Sequence, residues 1–229
     1  MKTALTTLSS IVLAMFVNNV NAAQSKIIYA GSLLVAPEQA LKKEQTLVVT
    51  NDKITAIKDG YVSKSVLNLP DAEIVNLKNQ FVMPGLIDMH VHVTFERDAK
   101  ANPHRWATEY EADYALRSIK YLQRTLDAGF TSVRDLGSDY QVIFPLKRAI
   151  ERQDIAGPRI FAAGNTISPS GGHADMHGYR KDITDVFKTT LGICNGADDC
   201  RRAVREVIKS GADVIKITAT GGVLSNTAA

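Results

Sequence analysis

Two histidines one residue apart, in Asp88-Met89-His90-Val91-His92, are the strongest chemical signal in the sequence. In a strand, side chains alternate between faces, which predicts Asp88, His90 and His92 on one face and Met89, Val91 and Val93 on the other. Two imidazoles one strand repeat apart can ligate one divalent ion, and imidazole suits zinc, nickel, iron or manganese. The alternative is a pair of rings satisfied by surface water. A second signal is Lys216, in Asp213-Val214-Ile215-Lys216-Ile217-Thr218. Val214 and Thr218 share its face, and burying an ammonium in an apolar strand is costly, which favours the neutral amine. A neutral amine can react with CO2 to give a carbamate, an anionic oxygen ligand able to bridge two metal ions. The alternatives are a lysine paired with a carboxylate, or one snorkelling at the strand end.

Weaker signals surround these. The segment Ser168-Pro169-Ser170-Gly171-Gly172-His173-Ala174-Asp175-Met176-His177 reads as a loop after a strand. By position it can hold a substrate, with His173 donating a hydrogen bond to a carbonyl or carboxylate; otherwise its histidines are solvated. Arg134 and Asp135, at the end of another strand, read as a structural pair, with a substrate role as the alternative. Cys194 and Cys200 are the only cysteines. In an oxidising compartment they are a disulfide candidate that would pin the loop before a helix; two free thiols are the other reading.

The elements that must position these residues are of two textures. From Lys26 to about Gln80 short β-type runs alternate with turn residues such as Asn51-Asp52 and Asp59-Gly60, predicting a small β-sandwich-type unit over 26–80. From Phe81 onward strands alternate with helical patterns. Strands are expected in 81–93, at 131–136, 159–164 and 213–218, and helices over 109–128, 142–153 and 198–210. That β-α-β-α-β-α-β order is the signature of a parallel α/β sheet or barrel. A closed barrel needs eight such units and about 250 residues. Four units over 81–229 therefore predict the N-terminal half of a barrel, and hence the N-terminal portion of a larger protein.

Residues 1–22 read as a signal peptide: Lys2 opens it, Ile11 to Val17 form its apolar core, and Val20-Asn21-Ala22 precede the cut. The apolar run is well short of the roughly 20 residues that cross a bilayer, so no membrane anchor is expected after cleavage. The expected location is periplasmic or secreted. The formal charge of +3, from 27 basic and 24 acidic residues, offers no electrostatic footprint for nucleic acid.

Pro84-Gly85-Leu86-Ile87-Asp88-Met89-His90-Val91-His92 resembles the first-strand motif of the amidohydrolase superfamily. Asp213-Val214-Ile215-Lys216-Ile217 with Ala219-Thr220-Gly221-Gly222-Val223-Leu224-Ser225 resembles the fourth-strand segment of its imidazolonepropionase-like branch, among exported Xaa-Pro dipeptidase and carboxypeptidase-like members. The resemblance implies a metal-dependent (β/α)8 TIM barrel with two divalent ions, zinc the expected metal. His90 and His92 would bind the more buried ion and a carboxylated Lys216 would bridge both. A hydroxide activated by the two ions would attack an amide or peptide bond of a dipeptide or N-acyl amino acid. Two further histidine ligands and an aspartate that shuttles the proton would come from strands beyond Ala229. A cyclic amide hydrolase or deaminase acting on a heterocycle is the second enzyme reading. An inactive truncated fragment is the third, and a homo-oligomer is left open.

Overall fold

The computed structural model describes residues 24–96, 98, 100, 102, 104–184, 192–222 and 225. The predicted signal peptide, Val223 and Leu224 lie outside them. The chain divides into two units, residues 1–84 and 85–229.

In the first unit β1 (Ser25–Leu33), β2 (Lys42–Thr50), β3 (Lys53–Asp59) and β4 (Glu73–Val82) form one sheet in the order β3-β2-β1-β4. β1 pairs antiparallel with β2 and parallel with β4. Alternation along β1 puts Ile27 and Tyr29 together against Ala72, and past the register shift between Ala30 and Ser32, Ala30 and Leu33 pack with Leu47. A second sheet, which a sandwich needs, is not among the described residues. β4 also extends past Gln80, because Phe81 and Val82 pair with Ser32 and Leu33. The sheet thus claims two residues that the sequence pattern placed with the next strand.

In the second unit β5 (Leu86–Val91), β6 (Phe130–Asp135) and β7 (Arg159–Ala162) form a parallel sheet in that order. Four helices belong to the described chain before the last segment: α1 (Arg105–Thr108), α2 (Glu111–Asp127), α3 (Tyr140–Glu151) and α4 (Lys181–Thr184), followed by α5 (Gly196–Ser210). The apolar stripes of α2 and α3 meet the sheet in one core, where Leu122, Val142, Ile143, Phe144 and Leu146 pack on Val93, Val133, Ile160 and Ala162. The backbone N–H of Tyr110 donates to Asp113 Oδ2 at 2.8 Å at the start of α2, and α2 gives way to Gly129 at φ +90°. Asp139 caps α3 by accepting from the Gln141 N–H at 2.7 Å.

The predicted fourth strand, 213–218, is not a strand. It lies parallel to the chain leaving β7 and touches it at two places. The Asp213 N–H donates to Ala162 O at 2.9 Å, and farther along Ile217 bridges Ile167, with the Ile167 N–H donating to Lys216 O at 2.8 Å. Between these contacts the β7 side is one residue longer, and Gly164 turns through φ +67°, which breaks the ladder. The Asp213 carboxylate compensates: it accepts from the Ala162 N–H at 2.9 Å and from Lys147 Nζ of α3 at 2.6 Å to each oxygen.

That carboxylate joins a helix, a strand end and the Lys216 segment. Charge-assisted hydrogen bonds are worth about 1.5–3 kcal/mol. Asp213→Ala is therefore expected to lower stability by about 2 kcal/mol, read from the urea midpoint; a shift under about 0.5 kcal/mol would make the contact an ordinary surface pair.

Candidate metal centre

The histidine pair sits where the parallel strands end. His90 is the penultimate residue of β5 and His92 lies one residue past it. Strict alternation does not run unbroken from Asp88 to His92. Asp88 pairs with Val133 but Val91 with Asp135, so three residues of β5 oppose two of β6, and this bulge offsets the faces by one. Asp88 Oδ1 instead accepts from the His90 backbone N–H at 3.0 Å. The register shift between Asp88 and Val91 interrupts the regular alternation on which the expected shared face of Asp88, His90 and His92 rested.

The two rings are held edge to face with centroids 5.6 Å apart. With a metal–nitrogen bond of about 2.0–2.1 Å, two imidazoles on one tetrahedral ion have centres roughly 5 Å apart, so the pair fits a shared ion. His92 Nδ1 lies 2.8 Å from the carbonyl oxygen of Gly137. A carbonyl only accepts, so Nδ1 carries the proton and the lone pair is on Nε2, the arrangement in which metal-binding histidines are usually held. Phe95 lies against the His92 ring at 5.4 Å.

Charge favours a neutral ligand at His90. Burial pushes its imidazole down from the ordinary histidine value, then the positive charges of Lys216, His92 and Arg134 push it further, with Asp88 opposing. Among the described residues no group of three or more His, Cys, Asp and Glu converges as a metal site. The donors present are two imidazoles and the Lys216 amine.

Arg134 and Asp135 do not pair. Arg134 Nε donates to Met89 O at 2.7 Å, while Asp135 faces the helix side, fully buried. Successive strand residues point to opposite faces, which forbids the contact that adjacency suggested. The Asp135 carboxylate accepts from Val93 N–H at 2.8 Å, Ser138 Oγ at 2.9 Å and Gly137 N–H at 3.2 Å. Burial pushes this carboxyl up, and the three donors and His92 pull it back. An aspartate in phase with Val133, on the buried face of β6, was the signal for it.

His173 is engaged by the chain following Lys216. Its Nδ1 lies 2.8 Å from Ser225 Oγ, and its ring packs so closely on Gly222 that a Cβ there would sit 2.2 Å from Nδ1. His177 instead donates from Nε2 to Gly172 O at 2.7 Å within its own loop. Cys194 and Cys200 are joined by a disulfide that ties the approach of α5 to its first turn. The Cys194 N–H donates to Ser168 O at 2.9 Å, so the same strap steadies the base of the His173 loop. A cleft of about 230 Å³ opens beside Gly137, lined by Ser138, Asn165, Thr166 and Ala174 among others. A larger one, about 800 Å³, is formed wholly by first-unit residues and holds none of the candidates.

Gly222→Ala places a methyl group where the His173 ring lies. The expected result is displacement of the His173 ring resonances in a histidine-labelled spectrum, with His90 and His92 unmoved. Unchanged His173 signals would remove Gly222 from the seat of this ring.

The amidohydrolase family model matches residues 81–229, more than half of the chain. Ochratoxinase of Aspergillus niger is 29% identical over 218 residues, covering 89% of this chain and 44% of that protein. A crystal structure of a Xaa-Pro dipeptidase with bound methionine in the active site superposes with a TM-score of 0.75 at 34% identity, over 88% of this chain and 48% of that one. A prolidase complexed with N-methylphosphonate-L-proline gives a TM-score of 0.73 at 33% identity, over 90% of this chain and 49% of the other. The chain spans about half the length of these relatives. With residues 81–229 matching that family model, and the histidine pair of its second unit at the end of β5, this chain belongs to the amidohydrolase family.

Proposed function

We propose that the protein is an exported metal-dependent hydrolase of amide bonds, acting on dipeptides or N-acyl amino acids. The observation that carries this is the His92 ring, held by Gly137 with its lone pair on Nε2, beside a His90 whose environment favours the neutral form. Those are the protonation states that imidazole ligands require. The relatives named as dipeptidase and prolidase support the substrate class. The Cys194–Cys200 disulfide supports an oxidising compartment, in keeping with a signal peptide over residues 1–22.

His90 and His92 would hold one divalent ion, with zinc the first choice for imidazole donors in the company of a carbamate oxygen. Lys216 would add its neutral amine to the carbon of CO2, lose one proton, and so become an anionic oxygen donor to two ions. Bound divalent ions polarise a carbonyl and lower the proton affinity of water. The remaining work falls to side chains. His173, with Nδ1 engaged by Ser225, offers Nε2 to the substrate carbonyl or carboxylate. Arg134 keeps the β5 backbone in place through Met89 O and adds positive charge near His90.

The test is metal content and turnover of the protein with single substitutions. Lys216→Ala is expected to lose bound metal and at least 100-fold of dipeptide hydrolysis, and His90→Asn to lose metal likewise. Two ions per chain in Lys216→Ala would sink the carbamate assignment. Hydrolysis of a cyclic amide with no turnover of any dipeptide or N-acyl amino acid would overturn the substrate class.

A further inference from the structure

We infer that Asp135 is a positioning residue for the metal centre, its buried carboxylate fixing the tautomer and placement of His92 through Gly137. The inference rests on reading His92 as a ligand. Asp135 closes β6 and has no exposed surface. Oδ2 accepts from the Val93 N–H at 2.8 Å and from Ser138 Oγ at 2.9 Å, and Oδ1 accepts from the Gly137 N–H at 3.2 Å. Ser138 Oγ in turn accepts from Thr94 Oγ1 at 2.9 Å. One carboxylate therefore anchors the residues directly after His92 and the residue whose carbonyl receives the His92 Nδ1 proton at 2.8 Å.

The ring has little freedom between these anchors. A Cβ on Gly137 would lie 2.8 Å from Thr166 Oγ1 and 3.2 Å from His92 Cε1, so the imidazole packs directly against the Gly137 backbone. If Gly137 turns, the acceptor for Nδ1 leaves with it. The chemistry of the acceptor also matters. Three donors from two chain segments converge on Asp135, and two oxygens can receive them all. An amide has one oxygen and would set an N–H against the Gly137 N–H. Asn is thus nearly isosteric with Asp135 yet unable to hold the segment that orients His92. Ser138→Ala provides the contrast, since it removes one donor to the carboxylate and leaves the Gly137 contact.

The experiment is a long-range proton–nitrogen spectrum of histidine-labelled, metal-free protein, together with zinc affinity by competition with a chromophoric chelator. The wild type is expected to show His92 protonated on Nδ1. Asp135→Asn is expected to move that proton toward Nε2 and to weaken zinc about 10–100-fold, the usual cost of losing an outer hydrogen-bond partner. Ser138→Ala is expected to lower the melting temperature while His92 keeps its tautomer. A wild-type His92 protonated on Nε2 would overturn the inference even if Asp135→Asn does not fold. So would a folded Asp135→Asn with the wild-type tautomer and zinc affinity. If the tautomer moves in Asp135→Asn but the wild type binds no zinc, the hydrolase reading fails and the action of Asp135 on His92 stands.

Discussion

A carboxylate with no surface in water must be solvated by the protein itself, and at the end of β6 that solvation is supplied by three donors. Val93 comes from the chain leaving β5, and Gly137 and Ser138 from the turn into α3. Burying the charge costs several kcal/mol before these bonds form, so the segments that supply the donors are held to their places as a condition of folding. The ends of two neighbouring strands and the start of a helix are laced together at one point. His92 lies inside that lacing, its ring nitrogen on the Gly137 carbonyl. The site inherits its order from a polar contact on the helix side of the sheet.

The Lys216 side of the centre is held by a different device. A regular fourth ladder would carry the lysine by backbone pairing alone, but the longer path through Gly164 breaks it. Other contacts take over: the Asp213 side chain joins β7 to Lys147 of α3, and the Ile167 backbone keeps that of Lys216 to Thr218 alongside the chain beyond the break. The His173 loop closes on the next residues through Gly222 and Ser225, and the disulfide strap at Cys194 steadies its base. Precision at the candidate metal ligands comes from irregular backbone fastened by specific polar contacts, while the regular core of α2, α3 and the sheet supplies the rigid floor.

Much was legible in the sequence for reasons of period and chemistry. The alternation of apolar strands with helical stripes specified parallel β-α units, and α2, α3 and α5 lie within two residues of their expected ends. The residue types of His90, His92 and Lys216 marked them as candidates for one site, because two imidazoles and an amine in apolar segments have few structural uses. What the period could not reveal was any departure from it. The bulge between Asp88 and Val91 breaks the predicted alternation, and the kink at Gly164 turns a predicted strand into a single bridge.

Pairs distant in sequence were beyond reach altogether. That Asp135 serves Val93 and Gly137 and not its neighbour Arg134, that Gly137 orients His92, and that His173 rests on Gly222 are matters of which segments meet in space. Residue identity determined what chemistry this chain can do, since donor atoms and apolar periodicity are local properties. Only the tertiary structure decided how those donors are oriented, because orientation is set by hydrogen bonds between segments that local preference does not bring together.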